Sequence, residues 1–389
     1  MFKTISCWLE KVICDRLRYG NKKGRGEDKV AKVKAEPGLF GIVNCNRDFK
    51  VKASWGKNQF NSSFPASLGC YMASKGLKPV YLVLNKTSNI SHDKIHVSNL
   101  YGMNPLSEDI YYAFERDYLP FQQMVIGRLP GIDLVTLDRE TGNSLRGIEI
   151  KLTALPDNST CTLAENEYGT ELVIRPQTIV YLGLSIAGAY KNDRGDLLKV
   201  LSPICDRIKD WTSIKEVLPL IPKLTEAVDL ALTKHIEKQK PLIMQPIWKT
   251  EGKAAKLHDN CLDIFVWSDF AFTRLFMDIT KRNISAGVES ITRPMRTTVW
   301  LAKILYEYAV NGRVDHETII DHYTYNTKND KAFAVSGRTT HTYMNSAELT
   351  TPRIKKDEIK KIILGGGENY LSPERRFDAV IKNTPGLFD

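Results

Sequence analysis

Asp133, Glu149 and Lys151 are the residues whose types and spacing point most directly to chemistry. Glu149 and Lys151 are two apart, so on a strand they share one face while Ile150 points to the other. Fifteen residues separate Asp133 from Glu149, enough for two short strands and a turn to bring them together. Two carboxylates a few ångströms apart repel, and a hard divalent cation such as Mg2+ relieves that repulsion. A lysine beside them can orient a water and stabilise charge developing on a phosphate.

The elements that must position this trio are readable in residues 130–151. Ile132, Leu134, Val135 and Leu137 form one apolar strand run, Thr141-Gly142-Asn143-Ser144 supplies turn chemistry, and Leu145, Ile148, Ile150 and Leu152 resume the run. A hairpin that pairs Leu145 with Asp138 sets Asp133 opposite Ile150, and a small bulge completes the alignment. Two further polar residues are accessory candidates. Glu115 would add a third carboxylate from a helix spanning 106–116, striped by Ile110, Tyr111 and Phe114, and Gln177 would approach from the start of a helix over 177–190 opened by Pro176.

The chain has 389 residues, a net charge of +10 and an isoelectric point near 9.1. That length buries a full core, and the basic excess favours a polyanionic partner, nucleic acid first. Seven scattered cysteines include no Cys-x-x-Cys pair and no zinc-ligand spacing with histidine, so they read as reduced and mostly buried. Charges interrupt residues 1–18, which reads as an amphipathic helix instead of a signal peptide, and no apolar run is long enough for a transmembrane span. A cytoplasmic protein with no membrane partner is expected.

Further along the chain, residues 77–84, 170–174, 242–248 and 262–267 read as strands, and 196–239 as proline-interrupted helices. Asp315-His316 and Asp321-His322 lack ligand spacing and read as helix-surface histidines. Thr292 to Thr298 opens a helix with Val299, Trp300, Ile304, Leu305 and Tyr308 inward and Asn311-Gly312 as its stop. Arg293 and Arg296 sit in its first turn, against the helix dipole, where an anion would reward both. Asn58 and Gln59, framed by Trp55 and Phe64, and Arg338, in a basic polar stretch over 326–343 with Lys328 and Lys331, complete the candidates for DNA contact.

Pro130-x-x-Asp133 followed by Glu149-Ile150-Lys151 resembles the active-site pattern of the PD-(D/E)xK nucleases, with Pro130 not adjacent to Asp133. Trp55-Gly-Lys-Asn-Gln-Phe-Asn-Ser-Ser-Phe-Pro65, Leu129-Pro-Gly-Ile-Asp-Leu-Val135 and the segment from Gly147 to Thr160 together resemble the HindVP-type family of type II restriction endonucleases. The resemblance implies an α/β (α+β) fold, with a mixed central sheet flanked by helices and an added helical insertion. It also implies a homodimeric bacterial enzyme that uses Mg2+ to cut double-stranded DNA at a short palindrome. GRCGYC is the family's usual target, the products carry 5′-phosphate and 3′-hydroxyl ends, and a cognate DNA methyltransferase accompanies the enzyme. On this view Asp133 and Glu149 hold the metal and Lys151 orients the attacking water.

The expected organisation is an N-terminal helix and basic arm (1–48), a catalytic core with a DNA-facing loop (49–192), a helical subdomain (193–240), and remaining core strands with a basic recognition region (241–389). Two alternatives remain open from residues alone: a repair or structure-specific nuclease with the same core, and a basic DNA-binding protein whose hairpin does no chemistry.

Overall fold

A computed structural model describes residues 64–85, 87, 89–151, 171–234, 236, 241–247, 250–251, 254–255 and 263–336. Helix α1 (Phe64–Lys75) leads into strands β1 (Val80–Leu84) and β2 (Ile90–Lys94), a short helix α2 (Val97–Tyr101), and the meander β3 (Ile110–Arg116), β4 (Ile132–Asp138) and β5 (Ser144–Ile150). Strand β6 (Glu171–Ile174) is followed by helices α3 (Pro176–Ala189), α4 (Arg194–Cys205), α5 (Ile214–Val217) and α6 (Ile221–Lys234). Then come β7 (Pro241–Ile247), the two-residue strands β8 (Thr250–Glu251) and β9 (Ala254–Ala255), and β10 (Asp263–Ser268). Helices α7 (Asp269–Ser285), α8 (Arg293–Asn311) and α9 (His316–His322) and strand β11 (Phe333–Ser336) complete the described chain. The N-terminal helix and arm expected over 1–48 lie outside the described residues.

Seven strands form one mixed sheet in the order β2-β1-β10-β7-β5-β4-β3. The pairs β1/β10 and β5/β7 are parallel and the others antiparallel. Alternation along each strand loads both faces, as a sheet covered on two sides requires. Val135 and Leu137 on β4, Phe265 and Trp267 on β10, and Ile243 on β7 enter the larger core, beneath α3, α4, α6, α7 and α8. Leu134, Ile148, Ile150, Met244, Ile264 and Val266 enter the smaller one, beneath α1 and α2. The expected mixed sheet flanked by helices is therefore present. Helices α3 and α8 cross closely at Gly183, where an added Cβ would lie 2.6 Å from Ile304 Cγ2.

Two local expectations are corrected, and one expected strand pairs outside the central sheet. Residues 110–116 form a strand, because Ile110 and Tyr112 are buried alternately with Tyr111 and the segment gains a full antiparallel ladder with β4. Strand β6 does not join the central sheet; it pairs with β11 in a separate two-stranded sheet. His316 is buried, with Nε2 2.9 Å from the Arg128 carbonyl, whereas His322 is exposed. The expected helix starts and stops hold at α3, with Pro176 in its first turn, and at α8, which runs from a Thr292 cap to a left-handed Gly312. Cys70 and Cys205 are buried thiols outside any disulfide among the described residues, as expected of reduced cysteines, and the other cysteines lie outside the described residues.

Candidate active site

The β4–β5 ladder pairs Leu134 with Ile148, Val135 with Gly147 and Thr136 with Arg146, then shifts by a bulge so that Leu137 meets Ser144. Continuing the first register by one residue sets Asp133 beside Glu149, one position from the expected partner Ile150. The expected bulge exists but sits near the turn, where it absorbs the extra residue without disturbing the site. Asp133 and Glu149 thus share the sheet face that looks toward α3.

Each side chain of the trio is held. Asp133 Oδ2 accepts a hydrogen bond from the Ile150 N–H at 2.8 Å, so the partner strand's backbone orients the carboxylate. Lys151 Nζ is in direct contact with Glu149 Oε1, with both side chains largely buried. The Lys151 N–H donates to the Met244 carbonyl at 3.1 Å, which carries the end of β5 onto β7. From above the sheet, the buried Thr178 hydroxyl donates to Glu149 Oε1 at 3.2 Å. One helical turn later, the Tyr181 hydroxyl donates to the Pro130 carbonyl at 2.6 Å and accepts from the Tyr118 N–H at 3.0 Å. Helix α3 therefore fixes one carboxylate directly and ties together the segment that leaves β3 and the one that enters β4.

Burial pushes the Asp133 carboxyl up to about 7, and the neighbouring Glu149 charge adds to the push; Lys151 and the Ile150 N–H pull in the opposite direction, and Glu115 contributes a smaller upward effect. Two carboxylates crowded in this way form a donor set of hard oxygens without thiolate or imidazole, which fits Mg2+ better than a soft metal. Among the described residues no group of three or more His, Cys, Asp or Glu side chains gathers for a metal.

The remaining candidates divide. Glu115 lies between the pairs Phe114–Leu134 and Arg116–Ile132, hence across from Asp133, but it is exposed and its φ of +47° breaks the strand geometry. Gln177 is exposed in the first turn of α3, and Thr178 is the residue of that turn that reaches the site. A hydroxyl two residues after the proline that opens the helix is the available signal, and it is a weak one because such residues usually cap. Arg293 is partly exposed, 4.0 Å from Asp330. Arg296 is not a surface residue: it is fully buried and its guanidinium donates to the Thr327, Lys328 and Lys331 carbonyls, so the base contact expected of it is withdrawn. Asn58, Gln59 and Arg338 lie outside the described residues.

The model of the HindVP restriction endonuclease family matches residues 55–388, which contain every described element. This chain belongs to the HindVP restriction endonuclease family. Its relatives in the family include the type II restriction enzyme HgiDI of Herpetosiphon aurantiacus, 49% identical over 91% of this chain and 98% of the relative. The probable type II restriction enzyme HindVP of Haemophilus influenzae is 42% identical over 91% of this chain and 95% of the relative. No solved structure matches. The family's span covers the meander and α3 together.

Proposed function

We propose that this protein is a type II restriction endonuclease that hydrolyses both strands of DNA at a short palindrome, using Asp133, Glu149 and Lys151 with Mg2+. The observation that carries the reading is the convergence of two mutually repelling carboxylates and a lysine at the braced open end of the β4–β5 hairpin. Relatives named as type II restriction enzymes, at 42–49% identity over nearly the whole chain, support it.

Asp133 and Glu149 would hold the metal, which when bound polarises the scissile phosphate and offsets its growing charge. The Ile150 N–H and the Thr178 hydroxyl keep one oxygen of each carboxylate from rotating away. Lys151 orients water by hydrogen bonding from Nζ and adds positive charge beside the phosphate. In the balanced step a water oxygen bonds to phosphorus, the bond from phosphorus to O3′ breaks, and the water proton lost is matched by one gained at O3′. The ends are a 5′-phosphate and a 3′-hydroxyl.

A palindrome cut on both strands suits a two-fold homodimer with one site per strand. GRCGYC is the proposed target, and a cognate methyltransferase would protect the host's own copies in the cytoplasm. In the described residues no helix is long and apolar enough to cross a membrane.

The test is incubation of the purified protein with unmethylated phage DNA and Mg2+, beside Asp133→Ala and an EDTA control. Discrete fragments lost in both controls are expected, and sequencing their ends gives site and stagger. A smear independent of sequence would favour a repair-type nuclease. Retarded but intact DNA would leave only a binding protein.

A further inference from the structure

Two arginines reach from different helices into the loop that joins α9 to β11. From α8, Arg296 donates to the carbonyls of Thr327 at 3.0 Å, Lys328 at 2.7 Å and Lys331 at 2.6 Å, while its guanidinium lies 4.3 Å from the Trp300 ring centre. From the start of α3, Arg175 donates to the Asp330 carbonyl at 2.6 Å. Trp300 Nε1 donates to the Tyr323 carbonyl at 2.8 Å, and the Thr297 hydroxyl to the Ala332 carbonyl at 2.9 Å. Six carbonyls of one ten-residue loop, 323–332, are thereby turned toward the helices.

The same loop holds Tyr325 and Asn326 at φ of +50° and +62°, left-handed conformations that non-glycine residues keep only when their surroundings impose them. Tyr325 is buried and its hydroxyl donates to the Trp211 carbonyl. This is a shaped segment rather than slack between two elements.

Its charge is unusual as well. Among the described residues Arg296 donates only to carbonyls and a hydroxyl, so its positive charge is not cancelled by a carboxylate in contact. Arg175 and Arg296 hold the loop that carries Lys328 and Lys331, and Arg293 lies 4.0 Å from Asp330 in the same loop. Asp330 is turned toward Arg293, and Asp321 accepts from the Asn329 amide at 3.4 Å. Lys328 stands exposed on the outer side. The loop is also close to the chemistry: the Thr178 N–H donates to the Arg175 carbonyl, and the Thr178 hydroxyl reaches Glu149.

We propose that residues 327–331 form a preshaped contact for the sugar–phosphate backbone of the duplex beside the cut, with Lys328 as the phosphate ligand and Arg175 and Arg296 as positioning residues. The proposal rests on the nuclease reading for what lies beside it. A backbone contact carries no sequence information, and it sets register on the duplex. With its carbonyls already directed inward, the loop meets phosphates without repelling them and without an ordering cost at binding.

The test is binding of the full-length protein to a fluorescently labelled duplex of arbitrary sequence in EDTA, over a salt series. Each lost phosphate contact flattens the plot of log affinity against log salt by about 0.9. Lys328→Ala is expected to flatten it by that amount, while Lys75→Ala, on α1 across the sheet, leaves it unchanged. Arg175→Ala, at an exposed residue whose loss does not empty the core, is expected to flatten the slope too. The Arg175→Ala/Lys328→Ala double variant should then add little to either single change, because both act through one contact. An unaltered slope in Lys328→Ala, or no binding at all, overturns the contact. Fully additive effects overturn the positioning role. Because the assay contains no Mg2+, a failure to cut DNA would sink the nuclease reading without changing this result.

Discussion

At the open end of the β4–β5 hairpin, Asp133 and Glu149 crowd like charges together, and the protein answers with one lysine and two hydrogen-bond donors. At the start of α8, Arg296 is more deeply buried, yet carbonyls of the neighbouring loop take up its donors on both arms of the guanidinium. Both places bury charge. In the first the crowded negative charge favours a cation from outside; in the second the donors are met by carbonyls, and the guanidinium shapes the loop that it holds. A buried charge therefore points to the reacting centre here only where its partners repel it. The Asp133 carboxyl, driven up to about 7, carries that signature.

The sharpest way to break this contrast is a pair of substitutions with opposite effects. Asp133→Asn keeps an acceptor for the Ile150 N–H but removes the repulsion. It should abolish cleavage by about a thousandfold or more while leaving the metal-free protein at pH 8 as stable as the parent, or about 1–2 kcal/mol more stable. Arg296→Met should instead cost about 2–4 kcal/mol, because several carbonyls lose their donor in a buried place. Urea unfolding of both variants beside a plasmid-cleavage assay reads the two signs. A destabilised Asp133→Asn would make that carboxylate structural and erase the distinction.

A smaller effect follows from pH. The Asp133 carboxyl is raised from an ordinary 3.8 to about 7, so between those values the folded state holds a proton that the unfolded chain has released. The metal-free protein should therefore lose stability as pH climbs through that window, and the loss is complete above about 7. On the proposed function Mg2+ would bind the ionised pair and offset the loss, so the rise in Tm on adding Mg2+ should be larger at pH 8 than at pH 5.5. Scanning calorimetry with and without Mg2+ checks this. Equal shifts at both pH values would mean that the ion binds elsewhere.

The parts of the site that sequence reveals are those written in local spacing. Glu149 and Lys151 announce themselves by period two, the turn by Thr-Gly-Asn-Ser, and α8 by its apolar stripe and glycine stop. Strand β3 was not legible, because Ile110, Tyr111 and Phe114 also suit one face of a helix, and only the ladder with β4 decides between the two. Arg296 was misread because first-turn arginines look alike whether they meet solvent or the carbonyls of a loop some thirty residues away. Thr178 was passed over for Gln177, since which of two adjacent helix-start residues faces the sheet depends on how α3 docks. Each miss concerns a partner distant in sequence, and spacing carries no record of those.

Thr178→Val tests the least conspicuous of these contacts and should give the smallest change. Valine keeps the shape and burial of the threonine but removes the hydroxyl that donates to Glu149 Oε1 at 3.2 Å. Lys151 still contacts that oxygen, so Glu149 keeps its charge partner and loses only part of what fixes its angle. Losing one hydrogen bond to a charged group that matters mainly for orientation should lower kcat by about tenfold, equivalent to about 1.4 kcal/mol. KM for DNA should be unchanged, because Thr178 is buried beneath the site and the phosphate contacts that supply affinity lie elsewhere. Single-turnover cleavage at saturating DNA separates the two quantities. A fall in KM-dependent binding with intact kcat would place Thr178 in the support of the neighbouring loop, through Arg175, and shift the bracing of Glu149 to Lys151 alone.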